Sequence, residues 1–218
     1  MKMPECLLDL PRLQTMGSIR LLCILCLIFS PCSRGTRSRR PNRRGEGPID
    51  RIQAQNNFNV QQFTGVWHLI SVGSKCSYLK LNNHRLEAVT MKVTNQDEDI
   101  RINTLRKLDG LCWDIKQDFR KGATPGRFSR TNRGLKTDIV IAETDYTNYA
   151  ILFLQQRRKI TVKLYGRGIE VSESVWSKFR QFVIDNNIPE IFIYAFPRYG
   201  HCSAADEFHL LDDDFGKS

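Results

Sequence analysis

The chain after residue 47 lacks the short motifs that mark common catalytic and nucleotide-binding sites. It contains no P-loop, no G-x-S-x-G turn, no C-x-x-C pair and no N-x-S/T acceptor for glycosylation. The histidines show no paired spacing of metal ligands; they are His68, His84, His201 and His209. We therefore expect no catalytic residues, no metal and no cofactor.

A strong positive charge is also missing from most of the chain. The formal net charge is +10, but residues 1–45 alone carry nine basic and two acidic side chains. The remaining residues hold 24 basic and 21 acidic side chains and are close to neutral. Nucleic-acid binding needs a concentrated basic surface, so we do not expect it here.

Long apolar runs are scarce as well. One run, Leu21–Phe29, follows Arg20 and precedes the turn-forming letters SPCSRG. Its nine residues are too few to span a bilayer but suit the apolar region of a signal peptide. We predict a signal peptide at 1–33 with cleavage near 30–35 and with Met16 as an alternative start. The other interpretation of the run is a buried helix.

The segment 34–47 is rich in arginine, proline and glycine and has no apolar period. Such a composition does not support a packed core, so we predict a basic disordered arm. Binding to an acidic surface and cleavage at the letters RSRR are two alternative roles. Residues 48–218 would then form one folded domain of a soluble protein secreted into plasma.

Secretion constrains the cysteines, because free thiols are oxidised outside the cell. A signal peptide would remove Cys6, Cys23 and Cys26, and it would also remove Cys32 where the cut falls after that residue. Three would remain, namely Cys76, Cys112 and Cys202. An odd number leaves one thiol free or bonded to another chain. The sequence leaves three intrachain pairings open.

Eight short β-like runs follow the arm at a spacing of roughly ten residues, with turn-forming letters between many of them. Alternation of apolar and polar residues is visible in several runs, for example ITVKLYG at 160–166. The runs are Val66–Ser71, Arg85–Thr94, Asp99–Leu105, Leu111–Phe119, Gly126–Ser129, Lys136–Thr144, Tyr149–Gln155 and Ile160–Gly166.

The pattern predicts an all-β fold, an eight-stranded antiparallel up-and-down barrel that leaves no exposed edge. One helix is expected after the eighth strand, where Ser172 is a good N-cap for the letters ESVWSKFRQFVIDNN. Its apolar residues recur on one face, so it should pack against the outside of the barrel. A short final strand, EIFIYAF, and an extended tail complete the chain.

Three short motifs in this order resemble the signature of the lipocalin family. The letters GVW open the first predicted strand, TDY ends the sixth and LYGRG ends the eighth. The resemblance implies that the tryptophan plugs the closed end of the barrel and that the arginine stacks across it. The implied structural residues are Gly65, Trp67, Thr144, Asp145, Tyr146 and Arg167.

Longer stretches, among them RKLDGLCW and YGHCSAADEFH, are similar to lipocalins of the complement system. The similarity covers most of the chain from about residue 48. It implies an intrachain disulfide between Cys112 and Cys202 and an interchain disulfide from Cys76, in an exposed loop at the open rim. The implied partner is the alpha subunit of complement component eight, with its beta subunit in the same complex. The chain would enter the membrane attack complex without inserting into the membrane itself.

Two alternatives remain for the open end. A reactive Cys76 thiol, as in isomerase-like lipocalins, would need an activating neighbour. A free lipocalin would instead carry a small hydrophobic ligand, whose identity the sequence does not give. Alternation and the geometry of the family predict the residues that line the cavity: Ile115, Gln117, Phe119, Ile139, Ile141, Ala150, Leu152, Leu154, Thr161, Lys163 and Tyr165. Two other interpretations are that these side chains simply fill the barrel and that the mouth accepts a segment of the partner chain.

Overall fold

A closed antiparallel barrel dominates the part of the chain that the computed structural model describes, residues 47–108 and 110–210. Each barrel strand pairs with the next along the chain, and the eighth returns to the first. The strands are β1 (Gly65–Ser74), β2 (Val89–Gln96), β3 (Asp99–Leu108), β4 (Leu111–Lys121), β5 (Arg127–Asn132), β6 (Leu135–Thr144), β7 (Tyr149–Gln156) and β8 (Lys159–Gly166). The predicted fold class is therefore confirmed.

The predicted strand positions agree with the structure except near the second strand. That strand begins at Val89 rather than Arg85, because Asn83–Arg85 form a 3-10 turn. The predicted signal peptide at 1–33 and all of the predicted basic arm except Gly47 lie outside the described residues. Both stay predictions.

Three α-helices accompany the barrel within these residues. They are α1 (Val60–Phe63), α2 (Ser77–Asn82) and α3 (Glu173–Asp185). The α3 helix is the one that the sequence predicts, and the Ser172 hydroxyl accepts a hydrogen bond from the Val175 N–H. Lys178 in α3 also donates to the Tyr149 hydroxyl at 3.1 Å and to Glu143 on the barrel wall.

Alternation along the strands divides the apolar residues into two cores. One face of each strand points into the barrel, where an inner core includes Trp67, Phe119 and Leu152. The opposite face of β1, β6, β7 and β8 forms an outer core with Val175, Phe179 and Val183 of α3. The doubly apolar run YAILFL in β7 belongs to both cores, so both faces are covered.

The C-terminal segment pairs with parts of β1 and β4 that extend beyond their pairing with neighbouring barrel strands. The β4–β5 pairing is limited to Arg120↔Ser129 and Lys121↔Phe128. A tenth strand, β10 (Glu207–Leu210), runs parallel to β4 along its other half, from Trp113 to Lys116. The ninth strand, β9 (Ile193–Ala195), pairs with β1. It is shorter than the predicted strand EIFIYAF, because Glu190–Phe192 form a 3-10 turn. The sequence predicts an extended tail but not its pairing with β4.

Gly73 in β1 tests the contact between α3 and the barrel. A Cβ atom at this position would lie 2.5 Å from Val183 Cγ2, so Gly73→Ala forces the helix away from the sheet. We expect the free energy of unfolding, measured with urea, to fall by about 1–3 kcal/mol. Gly168→Ala is the matched control, because no atom lies within 4 Å of its Cβ. An equal effect of the two substitutions would contradict this account of the packing.

Candidate functional site

Trp67 and Arg167 close one end of the barrel. The Trp67 side chain is 0% exposed, and its Nε1–H donates to the Phe63 carbonyl at 2.9 Å. The Arg167 guanidinium lies 3.7 Å from the Trp67 ring centroid, in a cation–π contact. It also donates to four backbone carbonyls at 2.8–3.1 Å, those of Gln62, Thr64, Val66 and Tyr146. One side chain thus joins α1, β1 and the β6–β7 turn.

Gly65 allows the arginine to approach this closely. Its φ angle is +105°, in a region that other residues rarely adopt. A Cβ atom here would lie 2.9 Å from Arg167 Nη1. The close approach of Arg167 to β1 therefore requires a glycine at the first position of the GVW motif.

The TDY motif forms the β6–β7 turn at the same end. Asp145 Oδ1 accepts from the backbone N–H groups of Thr147, Asn148 and Tyr149 at 2.8–3.2 Å. The Thr144 hydroxyl donates to the Tyr149 carbonyl and accepts from the Tyr146 N–H. Burial disfavours ionised Asp145, but hydrogen bonds from Tyr149, Asn148 and Thr147 outweigh it and lower the pKa of Asp145.

Cys76 lies at the opposite, open end, where β1 passes into α2. Cys76 is the N-cap residue of α2, and it belongs to the inner core together with Leu79. Its side chain is 9% exposed, so the expectation of an exposed rim thiol is wrong. The physical reason is the short α2 helix, whose Leu79 is itself 0% exposed and belongs with Cys76 to the inner core. The sequence does not predict this helix. Cys76 is also disulfide-bonded.

The predicted lining residues lie on the inner face of their strands. Seven of them belong to the inner core or pack against it: Phe119, Ile139, Ile141, Ala150, Leu152, Leu154 and Tyr165. Ile115, Gln117, Thr161 and Lys163 are also buried, between 1% and 8% exposed. Thr161 shares a 3.0 Å hydrogen bond with Ser74 of β1. The interior is thus apolar toward the end that Trp67 closes and polar toward the open end.

Sequence reasoning missed two further residues of the upper interior, Arg106 and Arg130. Arg106 lies opposite Trp113 and Val89, and Arg130 lies opposite Thr137. The signal was present, because Arg106 continues the alternation of Ile100 and Ile102. Arginine is seldom buried, so a single sequence gives little reason to expect one inside the barrel near the end of a strand.

The second disulfide fastens the C-terminal segment to the outside of β4. Cys112 and Cys202 are bonded, with Cα atoms 5.8 Å apart and a separation of 90 positions in sequence. Asp206 adds to this contact, since it accepts from and donates to the backbone of Cys112. Closing a loop of this length contributes about 4–5 kcal/mol in the chain-entropy treatment.

Two of the histidines meet outside the barrel. The His68 and His201 rings are perpendicular, with centroids 4.8 Å apart. Burial, followed by repulsion from His201, lowers the pKa of His68. Within residues 47–108 and 110–210, no three His, Cys, Asp or Glu side chains are grouped so that they could hold a metal ion.

Comparison with known proteins identifies the family. The model of the lipocalin / cytosolic fatty-acid binding protein family matches residues 64–198. The chain is a lipocalin. This lipocalin is 40% identical to the rabbit (Oryctolagus cuniculus) complement component C8 gamma chain over 192 residues, which cover 87% of this chain and 95% of the rabbit protein. None of the described helices has the length and apolar character needed to cross a bilayer.

More distant similarities agree with the family. The lipocalin is 28% identical over 167 residues to protein AMBP of Bos taurus, covering 72% of this chain and 47% of that protein. A solved structure of the siderocalin Ex-FABP superposes with a TM-score of 0.58 at 16% identity, covering 64% of this chain and 96% of that one. At this identity the superposition shows the fold alone.

The Arg167 contacts predict a sensitive substitution. Arg167→Lys keeps the positive charge but cannot reproduce the planar fork that reaches four carbonyls. We expect the free energy of unfolding to fall by about 2–4 kcal/mol, measured by urea titration. Arg120→Lys, on the exposed surface of β4, is the control and should change it by less than about 0.5 kcal/mol. A loss below that limit for Arg167→Lys would contradict the assigned role.

Asp145 predicts a pH dependence. Because its pKa is lowered in the folded protein, its charge stabilises the fold above the unfolded-state pKa of about 3.9. This stabilisation is lost as the pH falls through the folded-state value. We therefore expect the gap in unfolding free energy between wild type and Asp145→Asn to be largest near neutral pH and to shrink in acid. A gap that is constant with pH would contradict the assignment.

Proposed function

We propose that the chain is a secreted, non-catalytic lipocalin that serves as the gamma subunit of complement component eight. In this proposal Cys76 bonds to the alpha subunit, in a complex that also contains the beta subunit. The assembled component then carries the chain into the membrane attack complex, and the partners insert into the membrane.

The similarity to the rabbit C8 gamma chain is the observation that carries the proposal. It extends over 95% of that protein at 40% identity, whereas the matches to protein AMBP cover about half of the AMBP length. The alignment therefore covers nearly the whole rabbit protein and is not limited to one part of it. This favours an equivalent role over a merely shared fold.

The position of Cys76 supports attachment at the open end. The barrel has a plugged end at Trp67, and Cys76 begins the helix at the other end. A partner bonded there lies beside the mouth, and a short covalent tether raises the effective concentration of any segment that enters it.

Processing is the step that would make Cys76 available. Outside the Cys112–Cys202 pair, the other cysteines of the chain are Cys6, Cys23, Cys26 and Cys32. All four lie within the predicted signal peptide at 1–33. We infer that the signal peptide is removed before Cys76 is oxidised. The mature chain then has no cysteine of its own outside the Cys112–Cys202 pair, so the Cys76 thiol is oxidised with a thiol of the alpha subunit instead.

The geometry around Cys76 favours attachment over thiol catalysis. A catalytic thiolate needs a base within hydrogen-bond reach. His68 points away from the interior, toward His201 and Thr90. His84 is exposed in the 3-10 turn after α2. The histidines that are near Cys76 in sequence are thus directed elsewhere, which supports a non-catalytic role.

Co-expression with the alpha subunit tests the attachment. The wild-type full-length chain should be secreted as a covalent pair that separates only in reducing gels, and Cys76→Ser should abolish the covalent pair. Ser77→Ala, one residue along α2, is the matched control and should leave the pair intact. The mass of the secreted chain should also show that residues up to about 33 are absent. A covalent pair that persists in Cys76→Ser would contradict the proposal, as would a secreted chain that retains the leader.

A further inference from the structure

The charges of the strand connections differ between the two ends of the barrel. The connections at the open end hold six basic and two acidic side chains, and those at the closed end hold three acidic and no basic ones. The open-end connections are 75–88, 109–110, 133–134 and 157–158, and the closed-end connections are 97–98, 122–126 and 145–148. The nearly neutral total of the folded domain therefore conceals a separation of charge along the barrel.

Two neighbouring hairpins carry a dense part of the positive charge. Because β6 pairs with β7, with Thr137 opposite Gln156, the β5–β6 turn and the β7–β8 turn lie side by side. Neither 132–137 nor 154–161 contains Asp or Glu. The exposed basic residues of the two hairpin tips are Arg133, Lys136, Arg157, Arg158 and Lys159.

Most of this charge is not matched by carboxylates of the fold. Lys136 pairs with Asp138 at 2.7 Å. Arg133, Arg158 and Lys159 form no ion pair with any residue in the part of the chain that the structure describes. Their cationic groups therefore face the solvent at the tips of the two hairpins.

The backbone of the two turns does not explain why arginine occupies them. Both are two-residue turns in which each residue has a positive φ angle: 47° and 64° at Arg157 and Arg158, and 47° and 76° at Arg133 and Gly134. Turns of this kind favour asparagine and glycine, because a positive φ is costly for most other residues. Arginine at three of the four positions thus lowers the stability of the turns, so a role of the charge outside the fold accounts for it better.

The basic arm that the sequence predicts joins the fold next to the same turns. The Ile49 N–H donates to the Gln155 side chain at 3.0 Å, close to the end of β7. The segment 34–46 holds six arginines and one glutamate. Arg44 is three residues before Gly47, and an extended chain spans at most about 3.6 Å per residue, so Arg44 stays within about 11 Å of Gly47. The arm can therefore add its charge to that of the hairpin tips.

The hairpin tips lack the apolar surface that several other anionic partners require. Bilayer surfaces are bound by cations together with apolar side chains, single-stranded nucleic acids stack on aromatic rings, and protein interfaces have an apolar centre. None of the large exposed apolar residues of the described chain lies in 132–137 or 154–161. These residues are Val66, Leu81, Leu111, Ile169, Ile184, Ile191 and Tyr199. Cations without apolar neighbours suit a linear chain of repeated anionic groups.

We propose that the tips of the β5–β6 and β7–β8 hairpins bind a sulfated polysaccharide. Arg133, Arg158 and Lys159 donate hydrogen bonds to its sulfate oxygens, in charge-assisted contacts that a guanidinium makes with two parallel N–H groups. The arginines of the arm add further contacts. The proposal does not rest on attachment through Cys76, because it uses neither that residue nor a partner chain.

A heparin oligosaccharide of defined length is a suitable probe, and the same oligosaccharide without its sulfate groups is the matched control. Calorimetric titration of the secreted full-length chain in low-salt buffer should show saturable binding that weakens as sodium chloride is added, because counterions are released. The desulfated form should bind at least about tenfold more weakly. Equal binding of the two forms would overturn the proposal, as would tighter binding of a single-stranded DNA with the same number of charges.

Substitutions then locate the surface. Arg133→Asn combined with Arg158→Gly removes two charges and should weaken heparin binding by at least about tenfold. Lys92→Gln combined with Arg120→Gln removes the same number of charges from exposed positions on β2 and β4, and it should change binding by less than about twofold. Equal losses in the two double variants would mean an unlocalised attraction and would overturn the proposal.

Thermal unfolding separates lost contacts from lost folding. The variant with Arg133→Asn and Arg158→Gly should unfold at or above the wild-type temperature, because both new residues suit a positive φ. A lower unfolding temperature would contradict this account of the turns. Lys159→Gln lies outside both turns and should still weaken heparin binding, by about threefold; unchanged binding in that variant would contradict the proposed contact.

Deleting residues 37–44 tests the contribution of the arm. The shortened chain should bind heparin more weakly than the full chain, and the substitutions at Arg133 and Arg158 should weaken its binding further. A deletion that abolishes binding, together with wild-type binding by the hairpin variant, would place the site in the arm alone and overturn the proposal.

Discussion

The contact between Arg167 and Trp67 is the interaction on which the arrangement of this lipocalin depends. The guanidinium stacks on the indole and donates to four carbonyls from three separate segments. It therefore closes one end of the barrel with backbone groups that would otherwise lack partners. With that end plugged, contacts with other molecules through the barrel mouth are confined to the opposite end, where Cys76 and α2 lie.

The two faces of the sheet pack against different parts of the molecule. The outer face of β1, β7 and β8 binds α3, and Gly73 lets Val183 approach the backbone closely. The inner face is apolar toward the end that Trp67 closes. Toward the open end it also carries three buried cationic side chains, those of Arg106, Arg130 and Lys163. The outer packing needs no ligand or partner to explain it.

Much of the fold could be predicted from the sequence, because apolar and polar residues alternate in several of the strands and turn-forming residues separate many of them. The helix α3 was predictable from its cap and its apolar face. Less local features were not. The α2 helix is six residues long and has no clear periodic signal, so the burial of Cys76 was missed. The parallel pairing of β10 with β4 joins residues that are more than 90 positions apart in sequence, as Glu207 and Trp113 are, and local sequence patterns do not encode such a pairing. Arg106 and Arg130 escaped notice because charged residues are seldom buried.

In the proposed assembly, Cys76 joins this lipocalin to a partner chain at the open end of the barrel. Peptide mapping of the native complex from plasma, digested without reduction, tests it most directly. We expect the peptide that contains Cys76 to be disulfide-linked to a peptide of the alpha subunit, with Cys112 and Cys202 linked to each other. A Cys76 peptide linked within its own chain, or recovered as a free thiol, would contradict the claim.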